Sequence, residues 1–339
     1  MSENKTESAS GISSPTKPPL FGWYKPQYLY DICEARGGIG QLFLYYSVLA
    51  GLKPALDEWI PTERLPRYLK VCEKYGLLTE IESIFYNEAS DEVRDSIGGE
   101  FLTTTVACGA PAGSGYSGRA HIYVSKSEEA LDRIKRTGWY PISVNRRIVT
   151  KPQIDYMWFG EHLGYPKCCI DYFSRVNNHS LYPNTLLLPF KNTKSKPNYL
   201  CNSLVKDAYC YLYHIPCGFD CRATAELSAE LRAFIQKHDR GYADYIDRHM
   251  KLNFIVFRER DIYAFDGVPE GNVLKYNVTA FVDSYLYPGE LLNVFAHNDT
   301  LAIHEDKIFV MSGGKITNTI HKTERAEWFF ISFADDNTI

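Results

Sequence analysis

Hydrophobic and polar positions divide the chain into three patterns. Residues 26–85 read as helical. Pro26 suits a first helical position, and Gly37-Gly38 ends that helix. A second helix is expected from Gln41 to Ala50, closed by Gly51, and a third from Pro66 to Tyr75, stopped by Gly76. From 100 to 150 strand and helix patterns alternate. Phe101 to Ala107 and Arg119 to Val124 are apolar and strand-like. Ser125-Lys126-Ser127-Glu128 is a capping box, opening a helix that runs to about Thr137 with Gly138 as its stop. Tyr140 to Val144 reads as another strand. That order favours a small mixed or parallel sheet.

Beyond 252 the pattern changes again. Strands are expected at Phe254–Phe257, Ile262–Phe265, Leu274–Val282, Leu292–His297, Leu301–His304, Ile308–Met311, Lys315–Ile320 and Trp328–Phe333. Leu274, Tyr276, Val278, Ala280 and Val282 alternate strictly, which marks a half-buried strand. Asn298-Asp299-Thr300, Glu305-Asp306-Lys307 and Ser312-Gly313-Gly314 supply hairpin turns. The fold class is therefore α+β: a helical N-terminal part, a central α/β part, and a C-terminal antiparallel β meander or barrel. The expected divisions are a disordered polar tail over 1–22, an α/β domain over 23–251 and an all-β domain over 252–335.

Composition narrows the partners. With 339 residues, 45% hydrophobic and 23% charged, the chain can build ordinary cores. A net charge of −4 and a pI near 6.2 argue against a surface made to neutralise phosphates, so no nucleic acid or anionic membrane is expected. The apolar run from Leu42 to Leu52 is too short to span a bilayer, and Met1 to Pro19 carries no apolar leader segment. The expected location is the cytoplasm, where structural disulfides are rare. The nine cysteines then need another explanation.

Six of the nine fall between Glu161 and Glu226, at positions 168, 169, 201, 210, 217 and 221. Gly164 should end one helix and Pro166 begin the next, which puts Cys168 and Cys169 in a first helical turn. Pro216-Cys217-Gly218-Phe219-Asp220-Cys221 is a tight turn before an amphipathic helix that carries Leu227, Leu231, Phe234 and Ile235 on one face. Thiols at helix starts meet unsatisfied amide donors and a positive dipole end, which favours the thiolate. With His214 three residues before Cys217, the set is suited to zinc or an iron–sulfur cluster. Adjacent cysteines do not easily ligate one metal together. Cys168, His214, Cys217 and Cys221 are therefore assigned as ligands and Cys169 as a reactive thiol, with the choice within the pair open. His162 is an acid/base candidate, although a histidine at a helix C-terminus also meets carbonyls and the dipole there. Asp171 and Asp220 can orient His214, and Arg222 can bind an anion. The run Lys191, Lys194, Lys196 reads first as a solvated loop.

Several near-matches are excluded. Pro216-Cys217 is followed by a gap of three residues before Cys221 and is preceded by no H-x-E, unlike zinc deaminases. His304-Glu305 has no second histidine one turn on, and no G-x-S-x-G occurs. Gly113, Gly115 and Gly118 match G-x-G-x-x-G, but a strand follows where a helix is required, so 109–118 reads as a loop or lid.

Two segments carry a resemblance. Leu163-Gly164-Tyr165-Pro166-Lys167-Cys168-Cys169 and His214-Ile215-Pro216-Cys217-Gly218-Phe219-Asp220-Cys221 resemble an uncharacterised prokaryotic family with paired L-G-Y-P-x-C-C and H-x-P-C-x-x-x-C motifs. The resemblance covers about 120–225 and extends toward the strands after 252. It implies no activity, only that Cys168, Cys169, His214, Cys217 and Cys221 belong to one site. The leading expectation is a metal-centred enzyme acting on a small-molecule substrate, amino-acid-like or sulfur-containing. The alternatives are a zinc-stapled interaction module and a metal-free cysteine redox or sulfur-transfer protein.

Overall fold

A computed structural model of the protein describes residues 20, 29–38, 42–87, 107–111, 119–134, 142–144, 147–150, 156–177, 187–205, 209–257, 261–283, 289–322 and 328–334. Nearly all of the polar tail, the strand expected over 101–106, the possible lid at 112–118 and the helix start near Pro152 lie outside these residues. Among the described residues no helix is long and apolar enough to cross a membrane.

The described chain is α+β, with helices mainly in the N-terminal and central parts and a strand-rich C-terminal part. Two helices open it, α1 (Tyr30–Arg36) and α2 (Leu42–Leu49). Seven of the eight α2 residues, Leu42 to Val48, are buried, which an all-round apolar helix requires. Then come β1 (Ala55–Pro61), α3 (Leu65–Lys74) and β2 (Leu78–Asn87). The all-helical reading of 26–85 is thus corrected by two strands. In β1 the buried side is Leu56, Glu58 and Ile60. A carboxylate in the core-facing register hides the alternation. Burial pushes Glu58 up, and its pair with Arg36 Nη2 at 3.0 Å makes the position tolerable.

β3 (Ala107–Pro111), β4 (Arg119–Ser125), α4 (Glu128–Ile134), β5 (Ile142–Val144) and β6 (Arg147–Thr150) follow. The first sheet runs β1-β4-β2-β3-β5-β6; only β3 and β5 pair in parallel, so it is mixed. Residues 109–111, read as loop, belong to β3. The capping box is shifted by two residues, because Ser127 Oγ accepts the Ala130 N–H while Ser125 Oγ bonds Pro54 O.

The central helices are α5 (Tyr156–His162), α6 (Lys167–Asn177), α7 (Leu187–Asn192), α8 (Arg222–His238) and α9 (Arg240–Met250), with a 3-10 turn at Tyr199–Cys201. On α8 the buried positions are Thr224, Ser228, Leu231 and Ile235. Trp158, expected on the apolar face of α5, is 38% exposed; Leu163 and Phe159 pack inward instead.

The C-terminal part contains β7 (Asn253–Phe257), β8 (Asp261–Phe265), β9 (Pro269–Glu270), β10 (Val273–Lys275), β11 (Thr279–Asp283), α10 (Gly289–Ala296), β12 (Thr300–Ile303), β13 (Lys307–Ser312), β14 (Lys315–His321) and β15 (Trp328–Ser332). They form two antiparallel sheets, β14-β13-β12-β10-β9 and β11-β8-β7-β15. No closed barrel occurs among the described residues. The alternating run 274–282 is two strands in different sheets. Asp266 Oδ1 accepts the N–H groups of Asn277 and Val278 at 2.7 and 2.9 Å, and the chain changes sheet there. The segment expected as strand at Leu292–His297 is α10. Short apolar runs do not separate helix from strand, and here Phe295 is the buried anchor.

The four-stranded sheet is buried on both sides. Ile255, Phe257, Tyr263 and Phe265 face Phe295, Leu301, Ile308 and Val310. Phe254, Val256, Ile262 and Ala264 join the main core, which also holds Tyr45, Tyr46, Leu231, Tyr242 and Ile246. The main core therefore runs across residue 252.

Candidate metal centre

The site begins with two turns. Gly164 ends α5 with φ +75°, and a Cβ there would come within 2.7 Å of Pro54 Cδ. Pro166 then opens α6, its carbonyl accepting the N–H groups of Cys169 and Ile170 at 2.9 and 3.1 Å. Gly160 lets the two helices close, since a Cβ would meet Ile170 Cγ1 at 2.8 Å. The second turn, 217–221, is fastened to the loop after α7. Asn192 Nδ2 donates to Cys217 O at 2.5 Å, Phe219 N to Thr193 Oγ1 at 2.8 Å, and Asn198 N to Phe219 O at 2.8 Å. Asp220 Oδ2 accepts three bonds of 2.9 Å from Lys194 N, Ser195 N and Ser195 Oγ. Against the upward push of partial burial, those donors hold its carboxyl below the usual range. Asp220 thus organises the loop and does not orient His214.

These turns bring the starts of α6 and α8 together. The thiol sulfurs of Cys168, Cys169, Cys217 and Cys221 all lie within 4.8 Å of one another, an arrangement that can hold a metal ion. Cys168 and Cys221 are 3.7 Å apart, Cys169 and Cys221 3.7 Å, and Cys168 and Cys169 3.9 Å. Cys169 and Cys221 are buried, Cys217 is half-buried and Cys168 is exposed. Cys169 Sγ also accepts the Cys217 N–H at 3.3 Å and meets Thr224 Oγ1 at 3.3 Å.

Close sulfurs cannot all be thiols of ordinary acidity. Donation from Cys169 and Cys217 holds Cys221 well below the usual thiol range. The same hydrogen bonds, with Cys217 and then Cys221, push Cys169 far up. One sulfur concentrates negative charge while its neighbours keep protons, and a soft cation displaces those protons on binding.

The adjacent pair contributes both sulfurs, although the sequence reading divided Cys168 and Cys169 between ligand and reactive thiol. His214 stands one step back from the four. Its Nε2 lies 2.9 Å from Thr224 Oγ1, which links it to Cys169; its Nδ1 is buried with no hydrogen-bond partner among the described residues. Burial pushes His214 down to about 3, so the imidazole is neutral at physiological pH. His162 is not among the four grouped sulfurs: its ring stacks on Trp158 at 4.0 Å and its Nδ1 lies 2.7 Å from Trp158 O. Asp171 pairs with Lys167 and Arg222 with Glu226, both on exposed helix faces. Lys191, Lys194 and Lys196 are exposed. Cys201 is buried against the centre and donates to Cys221 O at 3.3 Å, while Cys210 donates to Leu212 O at 3.4 Å.

Two neighbours carried no sequence signal as site residues. Thr224 is an ordinary third residue of α8. Lys53 sits in a short connection, yet it is 2% exposed, donates to Leu163 O at 2.7 Å, and lies 4.8 and 4.5 Å from the ring centroids of Tyr165 and Tyr213. Those two rings also flank His214, at 5.5 and 5.7 Å. Burial pushes the Lys53 ammonium down to about 7.

A scan against protein-family models and searches of curated proteins and solved structures return no match.

Proposed function

We propose that the four cysteines hold one tetrahedral zinc ion, and that this centre staples the beginnings of α6 and α8 to the loop after α7. The observation that carries the reading is the sulfur spacing. A single ion with Zn–S bonds of about 2.3 Å in tetrahedral geometry needs sulfurs about 3.8 Å apart. Among Cys168, Cys169 and Cys221 the separations of 3.7, 3.7 and 3.9 Å match that edge, and Cys217 completes a set whose sulfurs all lie within 4.8 Å of one another. An iron–sulfur cluster distributes its thiolates over several irons and needs a wider set, so zinc is favoured over a cluster. Four thiolates also fill a tetrahedron and leave no position for substrate, which is the pattern of a structural site. On this reading the protein is a zinc-stapled module, and the paired cysteine motifs belong to a family built around the same centre.

The enzymatic alternative, with a small-molecule substrate, draws support from the exposure of Cys168 alone. Elemental analysis with an absorption spectrum separates the readings. About one zinc per chain with no visible band supports the staple. Iron with sulfide and a broad band near ~400 nm overturns it in favour of a cluster. Cobalt substitution should give the intense ligand-field bands of a tetrahedral thiolate site; weak octahedral bands would overturn the geometry.

A further inference from the structure

We propose that Cys168 is a peroxide-reactive thiolate and Cys221 its resolving partner, so that oxidation closes a Cys168–Cys221 disulfide and releases the metal. This inference rests on the four-cysteine metal centre. It assigns the reactive role to the other member of the pair from the one the sequence suggested.

The four sulfurs are unequal in two independent ways. Cys168 is exposed, while Cys169 and Cys221 are buried and Cys217 is half-buried. Cys169 is further shielded by the Cys217 N–H and by Thr224 Oγ1, each at 3.3 Å. Donors of this kind draw charge from sulfur and lower its nucleophilicity. A diffusing electrophile therefore meets Cys168 first.

The partner follows from covalent geometry. Cys169 is close in sulfur position, at 3.9 Å, but it is the next residue. Consecutive Cα atoms are ~3.8 Å apart, whereas disulfides span about 4.4–6.8 Å between Cα atoms, so a bridge within the first turn of α6 would distort the helix. Cys221 lies 3.7 Å away on a different element, at the start of α8, and carries no such restriction.

The chemistry balances with a hydroperoxide as oxidant. The Cys168 thiolate attacks the peroxide oxygen, the O–O bond breaks, and Cys168 becomes a sulfenic acid as the other oxygen leaves as water or an alcohol after protonation. The Cys221 thiolate then attacks the sulfenic sulfur. The S–S bond forms, the S–O bond breaks, and hydroxide leaves and is protonated to water. Two electrons pass from the two sulfurs to the peroxide. Cys169 and Cys217 alone cannot complete the tetrahedron, so the ion dissociates and those sulfurs take up protons.

The test uses the full chain purified under reducing conditions, with its metal content measured first and the reductant then removed. Hydrogen peroxide is added in steps, metal release is followed with a chromogenic chelator, and disulfides are mapped by mass spectrometry after alkylation. The expected result is about one ion released for every two thiols lost, a Cys168–Cys221 linkage, and recovery of metal binding after reduction with zinc present. Cys168→Ser removes a ligand and lowers metal content, so it is read by thiol oxidation instead: Cys221 should lose its thiol to peroxide at least tenfold more slowly than in the parent, in a chain that stays folded by circular dichroism. Cys221→Ser should leave Cys168 trapped as a sulfenic acid that a dimedone probe labels. A chain that contains no metal as purified overturns the metal centre and the switch with it. Metal present, but released without modification of Cys168 or with a bridge through Cys169 or Cys217, overturns the switch alone.

Discussion

Two buried clusters close the described fold by different means. Between the C-terminal sheets, Phe265, Tyr276 and Phe295 lie edge-on to one another at 5.0 and 5.1 Å, among Leu274, Leu301, Ile308 and Val310. Each ring brings a large apolar area, and even its polar tip is satisfied: Tyr276 donates its hydroxyl to Phe295 O at 2.7 Å. Around Cys169 the cluster is only Cys169, Cys201 and Cys221, with Cys217 and Ala225 at its margin. These five small side chains bury little surface of their own, although Phe219 on the same turn anchors it in the main core. On the zinc reading, ligation takes the place of apolar area there. The first region should therefore ignore metal, and the second should depend on it.

The sharpest break in that contrast is Cys169→Ala. It removes a buried sulfur of the candidate metal centre and an acceptor of the Cys217 N–H. Structural zinc contributes on the order of 10 kcal/mol of apparent free energy in small zinc-dependent folds, and part of that should vanish here. Metal content should fall well below stoichiometric, and hydrogen exchange should accelerate over 167–171 and 217–225 while the segments of β7 and β8 stay protected. Uniform acceleration across both regions would mean the two clusters unfold as one.

Phe295→Ala is the reciprocal experiment and the next largest effect. A fully buried ring is deleted from the aromatic core, at a cost of about 3–5 kcal/mol. Urea denaturation should show that loss with metal stoichiometry unchanged. Loss of metal in this variant would contradict the separation of the two regions.

How much of this was legible in the sequence depends on which region is asked. The cysteine turns were legible because Gly164, Pro166 and Pro216 punctuate the chain locally, and the helix starts follow from them. Convergence of the two starts was only a geometric possibility, since nothing in residues 163–173 specifies where residues 214–221 will lie. His214 looked like a ligand by spacing, and Thr224 intervenes because the side chain at the third position of α8 reaches back over Cys221. The C-terminal strands were legible by alternation, but the sheet change at 276–278 was not. It depends on Asp266, eleven residues from Asn277. Strand β1 was masked by Glu58, whose partner Arg36 is twenty-two residues away. In these two failures a polar residue satisfied over a distance overrode the local pattern, whereas the misread segment 292–297 was a short apolar run that fits helix or strand alike.

Lys53 gives a pH-dependent test of the wall that the metal centre shares with α5. Its ordinary value is 10.5 and burial lowers it to about 7 in the folded chain. Between those values the unfolded chain binds a proton there and the folded chain does not. Stability from this group therefore rises with pH from about 7 toward 10.5, by up to about 1.4 kcal/mol per pH unit, and is flat below 7. Lys53→Met should remove that slope and should be more stable than the parent at pH 6, because it no longer buries an ammonium. Taking the difference in urea midpoints between the two chains at each pH cancels the cysteine titrations common to both. A parallel dependence in both chains would show that Lys53 stays protonated throughout the window.

The smallest expected effect probes the link between the thiolates and His214. Thr224→Val keeps the shape of the side chain and removes its hydroxyl. Cys169 loses a contact at 3.3 Å, and His214 Nε2 loses its partner at 2.9 Å. The other imidazole nitrogen, Nδ1, is already buried without a partner, so the variant leaves a buried ring with neither nitrogen bonded. A buried polar group stranded in this way costs about 1–3 kcal/mol. If His214 only supports the centre through Thr224, stability should fall by that amount while the chain keeps its full complement of metal and the cobalt spectrum is unchanged. If His214 instead replaces a sulfur as a ligand, the freed imidazole should compete for the ion, and the cobalt bands should shift toward those of a three-sulfur, one-nitrogen site. The hydroxyl is thus a divider: with it in place imidazole and thiolates do separate work, and its removal tests whether that separation is structural or only a matter of which hydrogen bond forms first.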